Sequence, residues 1–159
     1  MPRCMTTCSH MICPFCTGKT KIYNSRGTQS HTQTWRRHQC QTCSKAFTTK
    51  ERVDWTGQVQ VRSSEHTLPY SREQLLLSLA RASTNLTLPA GTISDLTDTI
   101  ELELQNNQFF SQGTQEADVI TQISTTVIHR YDPNLALQYV NQVYSNKPPL
   151  ELLKRLIAT

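Results

Sequence analysis

Four cysteines in two pairs, Cys13-Pro14-Phe15-Cys16 and Cys40-Gln41-Thr42-Cys43, are the residues of this 159-residue chain best suited to do chemistry. Two residues between the sulfurs of a pair let the backbone fold back as a tight knuckle that aims both thiolates at one point. Two knuckles supply four thiolates, the set that Zn2+ takes tetrahedrally at about 2.3 Å in closed structural sites. The spacing therefore predicts a zinc ribbon holding one Zn2+ per chain through Cys13, Cys16, Cys40 and Cys43. The intervening segment, 17–39, is long enough for two short strands and a loop. Two redox or disulfide pairs are the competing reading. The motif follows no signal peptide and lies outside any βαβ pattern, which favours metal. The remaining Cys4 and Cys8 are expected to be dispensable, in an unstructured extension over residues 1–10 that precedes a sensible start at Met11.

A second group of chemical interest leads into the later knuckle: Trp35-Arg36-Arg37-His38. Two arginines can pair with phosphates or guanine edges while Trp35 offers a stacking face, a combination that suits double-stranded DNA. Charge placement agrees with this. Residues 1–55 hold nine Lys or Arg against two acids, whereas 56–159 hold seven against ten, so the overall charge of +4 conceals a basic module joined to a mildly acidic one. A basic module calls for a polyanionic partner. No apolar run reaches a membrane-spanning length and the first ten residues lack a secretory pattern, so the chain is expected in the cytosol, without a membrane partner.

The elements that must position these residues follow from local pattern. Residues 19–23 have the β-branched and aromatic content of a strand, 24–27 read as a turn, and 34–39 and 46–49 read as two more strands. So small a module buries too little apolar surface to support itself, and metal binding would supply most of its folding free energy. The composition shifts after Asp54, which predicts domains over 11–54 and 55–146 and a tail over 147–159. Residues 59–62 alternate as a short strand. Ser71 and Gln74 form a capping box for a helix running to about Ser83, stapled by Tyr70 and Leu75, with Leu75, Leu76, Leu79, Ala80 and Ala82 on its buried side. A second helix starts near Thr92 with Ile93, Leu96, Ile100 and Leu104 in one stripe. Residues 105–114 read as a loop. A third helix over 115–130 would bury Val119, Ile120, Ile123, Val127 and Ile128. Asp132-Pro133 starts a fourth, ending at Tyr144, and 150–157 has the pattern of an amphipathic tail helix. The expected class is α+β, a small β ribbon followed by a mainly helical domain that opens on a short strand.

From Met11 onward these residues resemble the NrdR family, bacterial transcriptional repressors of ribonucleotide reductase genes. The resemblance is carried by Met11-Ile12-Cys13-Pro14-Phe15-Cys16, Thr20-Lys21-Ile22, Ser25-Arg26, Arg36-Arg37-His38-Gln39-Cys40, Cys43 and Phe47-Thr48-Thr49. In the second domain the strand at 59–62, Pro69-Tyr70, Gln74-Leu75 and Arg81-Ala82 follow the family's ATP-cone. The resemblance implies a DNA-binding repressor that senses ATP against dATP and changes its oligomeric state, hence a homo-oligomer with an adenine nucleotide as effector. It adds Arg26 to the DNA-binding set of Trp35, Arg36, Arg37 and His38. It also implies a nucleotide site made by Val59, Val61, Arg62, Ser63, Tyr70 and Gln74. Phosphates need cations and backbone N–H groups, which Arg62 and the helix N-terminus at Ser71 provide. This chain departs from the family where Ser63, Gln74, Asn85 and Leu86 replace basic residues. Trp35-Arg36-Arg37-His38 also stands in place of a four-arginine run. A zinc-ribbon module that has lost nucleotide binding and docks on protein or RNA is the alternative function. An enzyme is not expected: no nucleophile–base pair, HExxH or Walker-type loop occurs.

Overall fold

The computed structural model describes residues 11–27, 33–111, 113–145 and 149–150. The predicted extension with Cys4 and Cys8, and residues 151–157 of the predicted tail helix, lie outside them. The chain is α+β and divides into two compact units, Met1–Asp54 and Trp55–Thr159.

The first unit is an antiparallel sheet in the order β1-β2-β3, with β1 Thr20–Gly27, β2 Gln33–Cys40 and β3 Ala46–Arg52. β1 runs through residues 24–27, which the sequence predicts as a turn. Asn24, Ser25, Arg26 and Gly27 pair with Arg37, Arg36, Trp35 and Thr34, and the irregularity is instead a bulge between Ile22 and Asn24. Ladder hydrogen bonds to β2 override the local turn preference of an Asn-Ser-Arg-Gly string. Only Cys13, Thr20, His38 and Cys40 are buried among the described residues of this unit. A sheet with so little apolar burial needs a crosslink to persist.

In the second unit a three-stranded sheet sets one short strand between a neighbour near in sequence and a distant one. β4 (Gln60–Arg62) pairs antiparallel with β5 (Thr67–Pro69) and parallel with β6 (Thr114–Glu116). The helices are α1 (Arg72–Ala82), α2 (Thr92–Asn106), α3 (Ala117–Tyr131) and α4 (Pro133–Val143), with β6 between α2 and α3 in chain order. Ser71 caps α1 by accepting from Gln74 N, and its hydroxyl donates to Glu73. Asp132 caps α4 by accepting from Asn134 N at 2.7 Å and Leu135 N at 3.3 Å, with Pro133 in the first turn, where its missing N–H costs nothing.

Three expectations are corrected. The segment predicted as a loop contains a 3-10 turn, Phe109–Ser111, that drives Phe109 into the core, and then β6. α3 accordingly starts at Ala117 rather than 115. Its buried side is Thr121, Ser124, Thr125, Val127 and Ile128, with Val119, Ile120 and Ile123 half-buried; α3 packs against α4, whose Tyr139 meets Ser124. On α1, Ala80 is exposed and Arg72 is buried in its place. The core joins Val59 and Tyr70 to Leu79, Ile100, Leu104, Phe109, Ile128, Leu135 and Tyr139.

Candidate metal centre and nucleic-acid face

Each cysteine pair forms the same knuckle. Cys13 N donates to Gly18 O and Cys40 N to Lys45 O, both at 2.9 Å, closing the two turns identically. Inside the turns Phe15 N donates to Cys13 Sγ at 3.4 Å, and Thr42 N and Cys43 N to Cys40 Sγ at 3.3 and 3.4 Å. The residue after each pair is left-handed: Thr17 has φ 56° and Ser44 φ 58°. Gly18 lets the knuckles meet, since a Cβ there would lie 2.5 Å from Thr42 Oγ1. Gln41 N then donates to Lys19 O at 2.9 Å across the pair.

The four sulfurs lie within 4.8 Å of one another, with Cys13 to Cys43 at 3.7 Å and Cys16 to Cys40 at 3.5 Å. A tetrahedron with 2.3 Å metal–sulfur bonds has edges of about 3.8 Å, so the set fits Zn2+. All four thiols are free of disulfides. The backbone N–H of Cys43, followed by that of Thr42, draws the Cys40 thiol down to about 6 against its burial. The Gly18 N–H draws Cys16 the same way, but the hydrogen-bonded sulfurs of Cys43 and Cys40 outweigh it and push Cys16 up to about 12. Cys40 ionises readily and Cys16 beside it then resists a second negative charge, the situation that a divalent cation resolves. Bound there, Zn2+ would crosslink the two knuckles.

The strand register sorts the predicted DNA-binding residues by face. Arg26, Trp35 and Lys50 stand opposite one another, as do Asn24, Arg37 and Thr48, and Lys21 with Gln39 and Gln33 with Arg52 fall on the same side. That face carries Lys21, Arg26, Arg37, Lys50 and Arg52, all exposed, and no acidic residue among the described positions of the sheet. Arg36 and His38 point the other way. Arg36 is ion-paired with Glu51 at 2.8 Å, and His38 is buried, stacked on Phe47 with centroids 5.0 Å apart, its Nε2 2.9 Å from Thr49 Oγ1. The 35–38 run is therefore not one interface. Period-two alternation gives Trp35 and Arg37 to the basic face, and Arg36 and His38 to the side that braces the sheet.

The predicted nucleotide residues are likewise divided. Val59 and Tyr70 belong to the core, where Tyr70 N donates to Val59 O at 2.8 Å and the Tyr70 hydroxyl to Glu101 at 3.0 Å. Burial, reinforced by the Glu101 charge, holds the Tyr70 phenol well above its usual range, so it remains a donor. These two support the strand from behind rather than offering side chains to a ligand. Val61 is half-buried, and Arg62, Ser63 and Gln74 reach the surface. Arg62 is committed to Glu116, its partner in the parallel β4–β6 register, with Nε 2.8 Å from Oε1. Ser63 Oγ accepts from His66 N at 3.2 Å and holds its own turn closed. The sequence reading overlooked Arg72, which is buried between Asp98 and Glu101. The detectable signal was Asp98 and Glu101 three apart on the face of α2 that also carries buried Leu104 and Thr97.

Residues 11–51 match the family described as "Transcriptional repressor NrdR-like, N-terminal domain". Curated relatives named Transcriptional repressor NrdR are similar at 32% identity in Symbiobacterium thermophilum (61% of this chain, 65% of the relative) and 27% in Alkaliphilus oremlandii (88% and 100%). A relative of that name in Natronomonas pharaonis is 27% identical over 93% of this chain and 90% of its own. Residues 11–51 are an NrdR-type ribbon, and the chain as a whole is similar to NrdR repressors. It spans 65% of the length of the Symbiobacterium relative and 54% of that in Dehalococcoides mccartyi. The NrdR relatives carry a repressor's name, a non-enzymatic role. The zinc-ribbon family and the four-cysteine cluster together support Zn2+. No helix among the described residues is long and apolar enough to cross a membrane.

Proposed function

We propose that the chain is a cytosolic, nucleoid-associated transcriptional repressor of the NrdR type that binds double-stranded DNA through the basic face of its ribbon. One Zn2+ per chain, held by Cys13, Cys16, Cys40 and Cys43, fixes the knuckles on which that sheet stands. The second domain senses ATP against dATP at Val61, Arg62, Ser63, Gln74 and the N-terminus of α1, the protein assembles as a homo-oligomer, and ribonucleotide reductase genes are its targets. The observation that carries the reading is the segregation of charge on the ribbon sheet, with five cations on one face and Glu51 turned to the other. A flat cationic surface without acids is the footprint that phosphates require.

Duplex binding titrated against salt tests it. Arg37→Ala and Arg26→Ala should each weaken binding and flatten the logarithmic salt slope by about 0.9, one phosphate contact, while Arg36→Ala leaves the slope unchanged. Unaltered affinity in both face variants would remove this surface as the interface. A second reading, a zinc-ribbon interaction module without nucleotide binding, is favoured by the Arg62–Glu116 ion pair and by Ser63 and Gln74 in place of cations. Titration calorimetry decides between them: no heat with ATP or dATP at millimolar concentration selects the module.

A further inference from the structure

Resting on the assignment of the basic ribbon face to nucleic acid, we infer that this face also binds single-stranded DNA, stacking unpaired bases on Trp35 and Tyr23. Trp35 is 46% exposed and Tyr23 54% exposed, on a sheet too small to spare apolar surface. The β1 bulge is what brings them together. Regular alternation back from Arg26 and Asn24 would turn Tyr23 to the opposite face; the register shift between Ile22 and Asn24 sets it beside Arg37 instead. Arg37 Nε donates to the Tyr23 hydroxyl at 3.1 Å, and Arg37 Nη1 to Thr48 Oγ1 at 2.9 Å, which fixes the ring's tip without covering its face.

Trp35 lies two residues along β2 from Arg37 and directly between Arg26 and Lys50. The two rings thus occupy a diagonal of the sheet, about 7–8 Å between backbones, with cations around both. A duplex presents phosphates and base edges but keeps its base faces stacked within the helix, so it uses the cations and leaves two exposed aromatic faces idle. An unpaired strand uses both: its backbone follows Lys21, Arg26, Arg37 and Lys50 while successive bases cover the rings. DNA is the polymer because the proposed role is in transcription, where strands separate beside a bound regulator.

The test uses the full zinc-loaded chain carrying Trp55→Phe, which keeps the ring stack on Phe110 and leaves Trp35 as the sole tryptophan. Oligothymidylate should quench Trp35 fluorescence. Added to this background, Trp35→Ala should lower oligothymidylate affinity about tenfold, read by anisotropy of a labelled strand, a loss at least about threefold greater than on a mixed-sequence duplex. Trp35→Phe should retain single-strand affinity within about threefold, which separates stacking from misfolding. Absent quenching, equal losses on both DNA forms, or a Trp35→Phe defect as large as that of alanine would each overturn the inference and leave the duplex reading standing. Single-strand binding with quenching but no duplex binding would support it and remove the duplex reading.

Discussion

At the scale of single residues, the cysteines were the most legible part of the chain and their neighbours the least. A CxxC string constrains backbone geometry so tightly that its four sulfurs converge almost regardless of what surrounds them, as they do within 4.8 Å. Cys40→Ser should therefore abolish zinc retention while Cys4→Ser keeps it, measured as metal per chain; equal retention would refute the ligand assignment. Thr17 and Ser44 carried no signal in sequence, since nothing in their type announces a left-handed backbone. A β-branched residue at φ 56° is strained by roughly 1 kcal/mol. Thr17→Gly should accordingly raise the ribbon's thermal midpoint, despite loss of the 2.7 Å bond from Thr17 Oγ1 to Cys16 O; a lower midpoint would show that this bond outweighs the strain.

Elements were legible where their signals are local and illegible where partners lie far along the chain. The Asp132-Pro133 start of α4 is written in adjacent residues, and the capping bonds follow directly. β6 could not be read, because Thr-Gln-Glu lacks strand composition and gains its structure from β4, more than fifty positions earlier. The same distance hid the neutralisation of Arg62, whose side chain looked available for phosphate until Glu116 was placed beside it. The pair holds Glu116 below the usual carboxylate range through its hydrogen bond with Arg62. Both ends are exposed, so the contact is weak and easily exchanged. Glu116→Gln should tighten ATP or dATP binding about two- to fivefold by calorimetry. Unchanged affinity would mean that Arg62 does not serve the phosphates.

For the whole molecule, the two units answer to different forces. The ribbon buries four residues among those described, two of them cysteines, whereas the helical unit has a continuous apolar core. Chelating the metal should therefore abolish the ribbon's protection from proteolysis while most of the helical far-UV signal persists; loss of both together would show that the units fold as one. Fold class was readable at this scale because a metal motif followed by helical periodicity leaves few architectures. The placement of β4 between a near strand and a distant one also sets an order of events. All ribbon cysteines precede residue 44, so that unit can be complete while the rest of the chain is still being synthesised. The hairpin of β4 with β5 closes over a few residues, but its other edge stays open until α1, α2 and Phe109 have been made and brought back to it. During that interval the growing chain carries an unpaired strand edge, and the turn and helices between β5 and β6 decide how long it stays exposed to other chains.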